Sequence, residues 1–72
     1  DAMIHFRMEV SLPNKEDYRQ VSYLFAGISV KTIAWLMGKN EKGLYQWRIR
    51  LRDRIESLNV DHKELFIGLL GK

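Results

Sequence analysis

From residue 44 to residue 58 the apolar residues Leu44, Trp47, Leu51, Ile55 and Leu58 recur at intervals of 3, 4, 4 and 3. That spacing places all five on one stripe of an α-helix over four turns. The same stretch contains "RIRLRDRI", with arginine at every second position: Arg48, Arg50, Arg52 and Arg54. Taken alone, that alternation describes a strand with one charged face. A strand would bury Trp47, Ile49, Leu51 and Ile55, but it would also bury Asp53 and leave a carboxylate unpaired in a core. The apolar stripe therefore decides for a helix, and the arginines are distributed around a cylinder.

Helix punctuation organises the rest of the chain. Asn14 follows Pro13 as a predicted N-cap, with Glu16 and Asp17 in the first turn of a helix running to about Ala26. Tyr18, Val21, Ser22 and Phe25 form its expected inner face, with Leu24 at the edge. Gly27 is placed to end that helix in the left-handed conformation, and Ile28 to close the cap. Ser29 caps a second helix, whose inner face is Val30, Ile33, Ala34 and Met37, with Leu36 beside it. Gly38 stops this helix, and Asn40 caps the third, over about residues 41–57. After Asn59 and Val60, Asp61 and Glu64 predict a capping-box start for a fourth helix, 62 to about 70. The N-terminal "MIHFRMEVSL" alternates instead: Ile4, Phe6, Met8, Val10 and Leu12 share one parity. That pattern predicts an extended segment with one buried face, although no second strand follows to pair with it. The expected fold is therefore all-α: a four-helix domain over 14–72, with a tri-helical core and a C-terminal helix. An extended N-terminal arm or strand over 1–13 precedes it, either as an arm of this domain or as the end of a preceding one.

Seventy-two residues hold one domain, and a domain of that size buries only about 60% of its unfolded surface. Remaining apolar surface is then expected to meet a partner. The absence of cysteine excludes disulfides and thiolate metal sites, and fits a reducing cytoplasm. His5 and His62 lie far apart in sequence and lack metal-ligand spacing, so neither a metal nor a cofactor is expected. No apolar run reaches the length of a membrane span. Glycines are scattered as helix punctuation rather than gathered in a phosphate loop, and no nucleophile–histidine arrangement is visible, so an enzyme is not expected.

Charge is concentrated rather than spread. Residues 39–54 hold six basic and two acidic residues, net +4, against +3 for the whole chain. With Leu44 at zero and 100° per residue, the apolar stripe covers about 300° to 20°. Arg48 and Arg52 fall at about 40° and 80°, and Arg50 and Arg54 at about 240° and 280°. Tyr45, Ile49, Lys42, Asp53 and Gln46 occupy the outward face. A helix in a DNA major groove needs this division: an apolar back, flanks near the two phosphate strands and a front toward base edges. Arginine suits the flanks because its planar fork grips phosphate and keeps its charge. The alternative is that the arginine stems simply cover apolar surface on a solvated helix.

A short second helix, a turn of about three residues with glycine, and a longer basic third helix propped by the first make a helix-turn-helix pattern. The run "LPNKEDYRQVSYLFAGISVKTIAWLMGKNEKGLYQWRIRLRDRI" resembles the four-helix DNA-binding domain of LuxR-type bacterial transcription regulators. It is also similar to region four of sigma factors. The resemblance rests on Ala26-Gly27-x-Ser29, Lys31 followed by Ile33-Ala34, Leu36-x-Gly38, and Leu44 opening the apolar stripe. It covers about residues 12–58. The ending "LYQWRIRLRDRI" is similar to a subset whose recognition helix ends in an arginine-rich "SRLRKKI"-like run.

The resemblance implies a cytoplasmic bacterial regulator binding double-stranded DNA as a homodimer, with a sensor or effector domain upstream in a longer protein. By position, Lys31 is expected to donate to a phosphate, and Asn40 and Lys42 to sit where the recognition helix begins. Tyr45, Gln46, Lys42 and Ile49 are expected to face bases, while Arg48, Arg50 and Arg52 neutralise phosphates. Gly43 stands where the family usually has threonine, Tyr45 replaces a common basic residue, and Trp47 takes a position often histidine or arginine. With its place in the stripe, Trp47 is assigned to the core.

Two features point to partners. Trp35 falls on the outward side of the second helix, to be covered by the N-terminal arm, by a protein partner or by a phosphate. The last helix, "HKELFIGLL", is apolar nearly all round and so must be buried on more than one side. In the resembled family this helix supports dimerisation, which makes Trp35, Phe66, Leu69 and Leu70 the expected interface. The rival expectation is a protein-interaction or dimerisation module that keeps the scaffold but does not read DNA.

Overall fold

A computed structural model describes residues 1–71, and every regular element in it is a helix. Lys72, the last residue of the expected domain, lies outside the described residues. The elements are α1 (Ala2–Glu9), α2 (Lys15–Phe25), α3 (Val30–Met37), α4 (Glu41–Ser57) and α5 (Lys63–Leu70).

The two inner turns form as their glycines predict. Gly27 has φ +85° and Gly38 φ +64°. At the first turn Ile28 N–H donates to the Tyr23 carbonyl and Gly27 N–H to that of Leu24, both at 3.0 Å. At the second, Lys39 N–H donates to Ala34 at 2.8 Å and Gly38 N–H to Trp35 at 3.3 Å. Each pair satisfies the last carbonyls of its helix in a Schellman arrangement, which needs a left-handed residue. Ser29 Oγ then accepts from Thr32 N–H at 3.2 Å, and Asn40 Oδ1 from Gly43 N–H at 3.0 Å. Both N-caps stand as expected.

The principal departure is at the N-terminus. Residues 2–9 are helical, not extended, and only the link around residues 10–14 is drawn out. The segment carries two apolar patterns at once: the alternating set and Met3, Phe6 and Val10 at helical spacing. Without a partner strand, the helix is the conformation that satisfies the backbone internally. Asp1 caps it, accepting from Met3 N–H at 2.9 Å. Phe6 and Val10 are buried, whereas Ile4 and Met8 of the alternating set are exposed. Tyr18 fastens the link that follows: its hydroxyl donates to the Val10 carbonyl at 3.0 Å and accepts from Leu12 N–H at 2.9 Å.

Two other caps differ from expectation. Asn14 is the α2 N-cap by position, but its side chain makes no cap bond. The Asp61–Glu64 capping box does not form. His62 is the α5 N-cap instead, and its backbone N–H donates to Glu9 Oε1 at 2.9 Å.

The core lies where α5 packs on α4, α2 and α1, and α3 packs on α4 and α2. Phe6, Val21, Ile33, Ile55 and Phe66 are fully buried in it. Phe6 sits edge-on to Phe25, Phe66 and Tyr18, with centroids at 5.5, 5.1 and 6.2 Å. The inner face of α2 is Gln20, Val21 and Leu24, with Tyr18, Ser22 and Phe25 half-buried beside it. Gln20 is tolerated there because Lys39 Nζ donates to its Oε1 at 2.6 Å, and the same ammonium pairs with Glu16 at 3.2 Å. No helix among the described residues is long and apolar enough to cross a membrane.

Candidate nucleic-acid interface

The apolar stripe of α4 turns inward: Leu44, Leu51 and Ile55 are buried, and Trp47 and Leu58 are half-buried against the same core. Trp47 thus packs against the core from its edge rather than lying within it. With that edge anchored, the helical period carries Lys42, Tyr45, Gln46 and Ile49 outward, and all four are exposed. Together with Glu41 they line one shallow depression. Tyr45 and Ile49 keep 48% and 45% of their surface in solvent, so no neighbouring element covers this face.

The arginines lie on either side of it. On one flank Arg48 stacks on the Tyr45 ring, its Cζ 4.5 Å from the centroid. A guanidinium held over an aromatic ring is restrained in position while keeping donors for a ligand. Arg52 lies beside it with its stem against Gly71, where an added Cβ would come within 3.1 Å of Arg52 Cδ. Its guanidinium makes a long exposed pair with Glu56 at 3.8 Å. On the other flank Arg50 and Arg54 border a hollow lined also by Leu12, Pro13 and Asp17. Arg54 donates to the Ser11 carbonyl at 3.3 Å. Among the described residues, Arg48, Arg50 and Arg54 have no carboxylate within ion-pair distance.

The remaining expected contacts are less concentrated. Asn40 uses its Oδ1 as the cap acceptor for Gly43 N–H, which ties its side chain to the helix start and leaves its amide nitrogen free to donate. Lys31 is exposed in the first turn of α3, on a different element from the α4 depression. Trp35 is 80% exposed, and the N-terminal segment does not cover it.

The expected interface needs correction at two residues. Phe66 and Leu70 are fully buried within this chain, so they cannot be an accessible dimer surface. α5 is apolar nearly all round because three helices of its own domain contact it. Leu69 and Ile67 are half-buried and Leu65 is exposed, leaving these three as the apolar remainder of that helix.

Compared with known proteins, the chain matches no family model, no curated protein and no solved structure.

One constellation was not expected from the sequence. His5 and His62, assigned no common site because they lie far apart in the chain, stack with ring centroids 4.1 Å apart. Glu9 lies between them, with Oε2 at 2.5 Å from His62 Nδ1 and 4.0 Å from His5 Nδ1. Burial raises the Glu9 pKa, but the His62 backbone N–H, its ring and the charges of both imidazoles outweigh it. The carboxyl is held below its ordinary range. The signal that could have found this cluster is His5-x-x-x-Glu9, which puts both side chains on one face once residues 2–9 are helical.

Proposed function

We propose that this domain binds double-stranded DNA as a helix-turn-helix module of a bacterial transcription regulator, with α4 as the recognition helix in the major groove. The observation that carries the reading is the exposed α4 face bounded on both flanks by arginines, three of them free of carboxylates. At 1.5 Å per residue α4 is about 25 Å long, enough to lie along a groove. Arg48, Arg50, Arg52 and Lys31 neutralise phosphates; Lys42, Tyr45, Gln46 and Ile49 address base edges, with Ile49 against a thymine methyl. α3 and its glycine turn set the angle at which α4 is presented.

The regulator acts in the cytoplasm as a homodimer, with its signal-sensing part in a longer protein. Two α4 helices then meet half-sites about 34 Å apart, one turn of DNA. Leu65, Leu69 and Trp35 are among the apolar residues left accessible to make such a dimer.

The test separates positioning from reading. Arg50→Ala weakens binding to every sequence and reduces the slope of log affinity against log salt by about 0.9. Gln46→Ala shifts preference among sequences at nearly constant salt dependence. If neither changes binding to selected or random duplexes, the assignment fails. A second reading, a protein-interaction module that does not read DNA, is favoured by Trp35 and its exposed neighbour Leu36. Binding that disappears in a mobility shift at moderate salt, with no selectable site, decides for it.

A further inference from the structure

The His5–Glu9–His62 constellation has chemistry that DNA binding does not use. Its donors come from two ends of the chain: His5 and Glu9 from successive turns of α1, His62 from the start of α5. Each offers one ligand atom, and these atoms all lie within 4.8 Å of one another. All three residues are half-buried. The rings are nearly parallel, 23° apart, and both Nδ1 atoms approach the same oxygen, Glu9 Oε2. The other oxygen, Oε1, accepts the His62 backbone N–H at 2.9 Å, which fixes the carboxylate plane and leaves Oε2 aimed at the rings.

We propose that His5, Glu9 and His62 bind a divalent transition metal of the zinc class and thereby clip α1 to the start of α5. Imidazole nitrogen with one carboxylate is a donor set that suits zinc, and two histidines with a glutamate are a recognised zinc ligand set. Metal–ligand bonds of about 2.0–2.2 Å at tetrahedral angles place donor atoms about 3.3 Å apart. The distances of 2.5 and 4.0 Å to Glu9 Oε2 bracket that value, and the rings must turn out of their parallel stack for both nitrogens to converge on one ion. Oriented by the His62 backbone N–H, the carboxylate already has the kind of supporting hydrogen bond that metal ligands use. Three protein donors leave the fourth position to solvent.

The simpler account of these residues is an interhelical hydrogen bond between Glu9 and His62 with His5 stacked on it. The two accounts differ in what His5 does. Titration of the chain with zinc chloride, followed by calorimetry and thermal unfolding, separates them, with magnesium chloride as the control. The proposal expects one zinc per chain and a melting temperature that rises with zinc concentration as ln(1 + [Zn]/Kd). Magnesium, which prefers oxygen ligands and its own waters, leaves the melting temperature unchanged. His5→Phe keeps a ring on His62 but removes a donor, and weakens zinc binding at least as much as the roughly 10–100-fold loss of an outer-shell partner. Glu9→Gln does the same through loss of the anionic ligand. Zinc that fails to bind at millimolar concentration, or binds equally to His5→Phe and Glu9→Gln, overturns the proposal. Should a variant fail to fold, the imidazole resonances of the unmodified chain decide: zinc must shift those of both His5 and His62, and shifts at neither or only one refute the site.

Discussion

Replacing Phe6 by alanine tests whether α1 belongs to the domain core or is an appended arm. Phe6 is fully buried, and its ring meets Phe25, Phe66 and Tyr18 edge-on at 5.1–6.2 Å. Burial of a phenylalanine covers about 150–250 Å², which at about 25 cal/mol per Å² gives roughly 4–6 kcal/mol as an upper bound. Measured phenylalanine-to-alanine losses in cores run about 3–5 kcal/mol, cavity included. A domain of this length has a total stability of only about 4–11 kcal/mol. Phe6→Ala is therefore expected to cost about 3–5 kcal/mol, lowering the melting temperature by more than about 12 °C at 4–8 °C per kcal/mol. Met8→Ala, two residues away and 78% exposed, serves as the control and stays within about 0.5 kcal/mol. Urea and thermal unfolding followed by far-UV circular dichroism measure both. A loss below about 1 kcal/mol for Phe6→Ala, the behaviour of a loosely attached arm, refutes the packing of α1 described above.

Four further variants probe the same geometry. Gly43→Ala adds a Cβ that meets only Asn40 atoms at 3.9 and 4.0 Å, so it is expected to stabilise the domain by about 0.5–1 kcal/mol through helix propensity; a lower melting temperature contradicts this. Lys39→Met leaves the buried Gln20 oxygen without its donor and costs about 1–3 kcal/mol. Glu16→Gln, which removes only the exposed ion pair to the same ammonium, costs about 0–1 kcal/mol; equal losses in denaturant midpoints would sink that distinction. Leu69→Asp is expected to shift sedimentation equilibrium from dimer toward monomer without unfolding the chain. Sedimentation of the unmodified domain as a monomer at high concentration removes the homodimer from the account.

The parts of the fold that were legible in the sequence are those set by short-range chemistry. Gly27 and Gly38 demand a left-handed residue, Ser29 and Asn40 supply cap oxygens, and the Leu44–Leu58 stripe has one reading over four turns. The outward placement of Lys42, Tyr45, Gln46 and Ile49 follows from that stripe. α1 was not legible, because its apolar residues satisfy both periods. The tie is broken by where Phe6 fits, among rings from α2 and α5 that are distant in sequence. The apolar character of α5 was correctly read as burial on several sides, but the covering surfaces are α1, α2 and α4 of the same chain rather than a second copy. His5 and His62 share a site only through the α1–α5 contact, which no local spacing announces.

The central claim, that the exposed face of α4 between its arginine flanks is the DNA-binding surface, is tested most directly by backbone amide NMR during titration with a selected duplex. Saturable shifts gathered on residues 41–54 and at Lys31, with Trp35 and the His5–Glu9–His62 cluster unmoved, are the predicted result. Shifts centred on Trp35 and Leu36, or none on α4 at a salt concentration where the duplex binds, would contradict it.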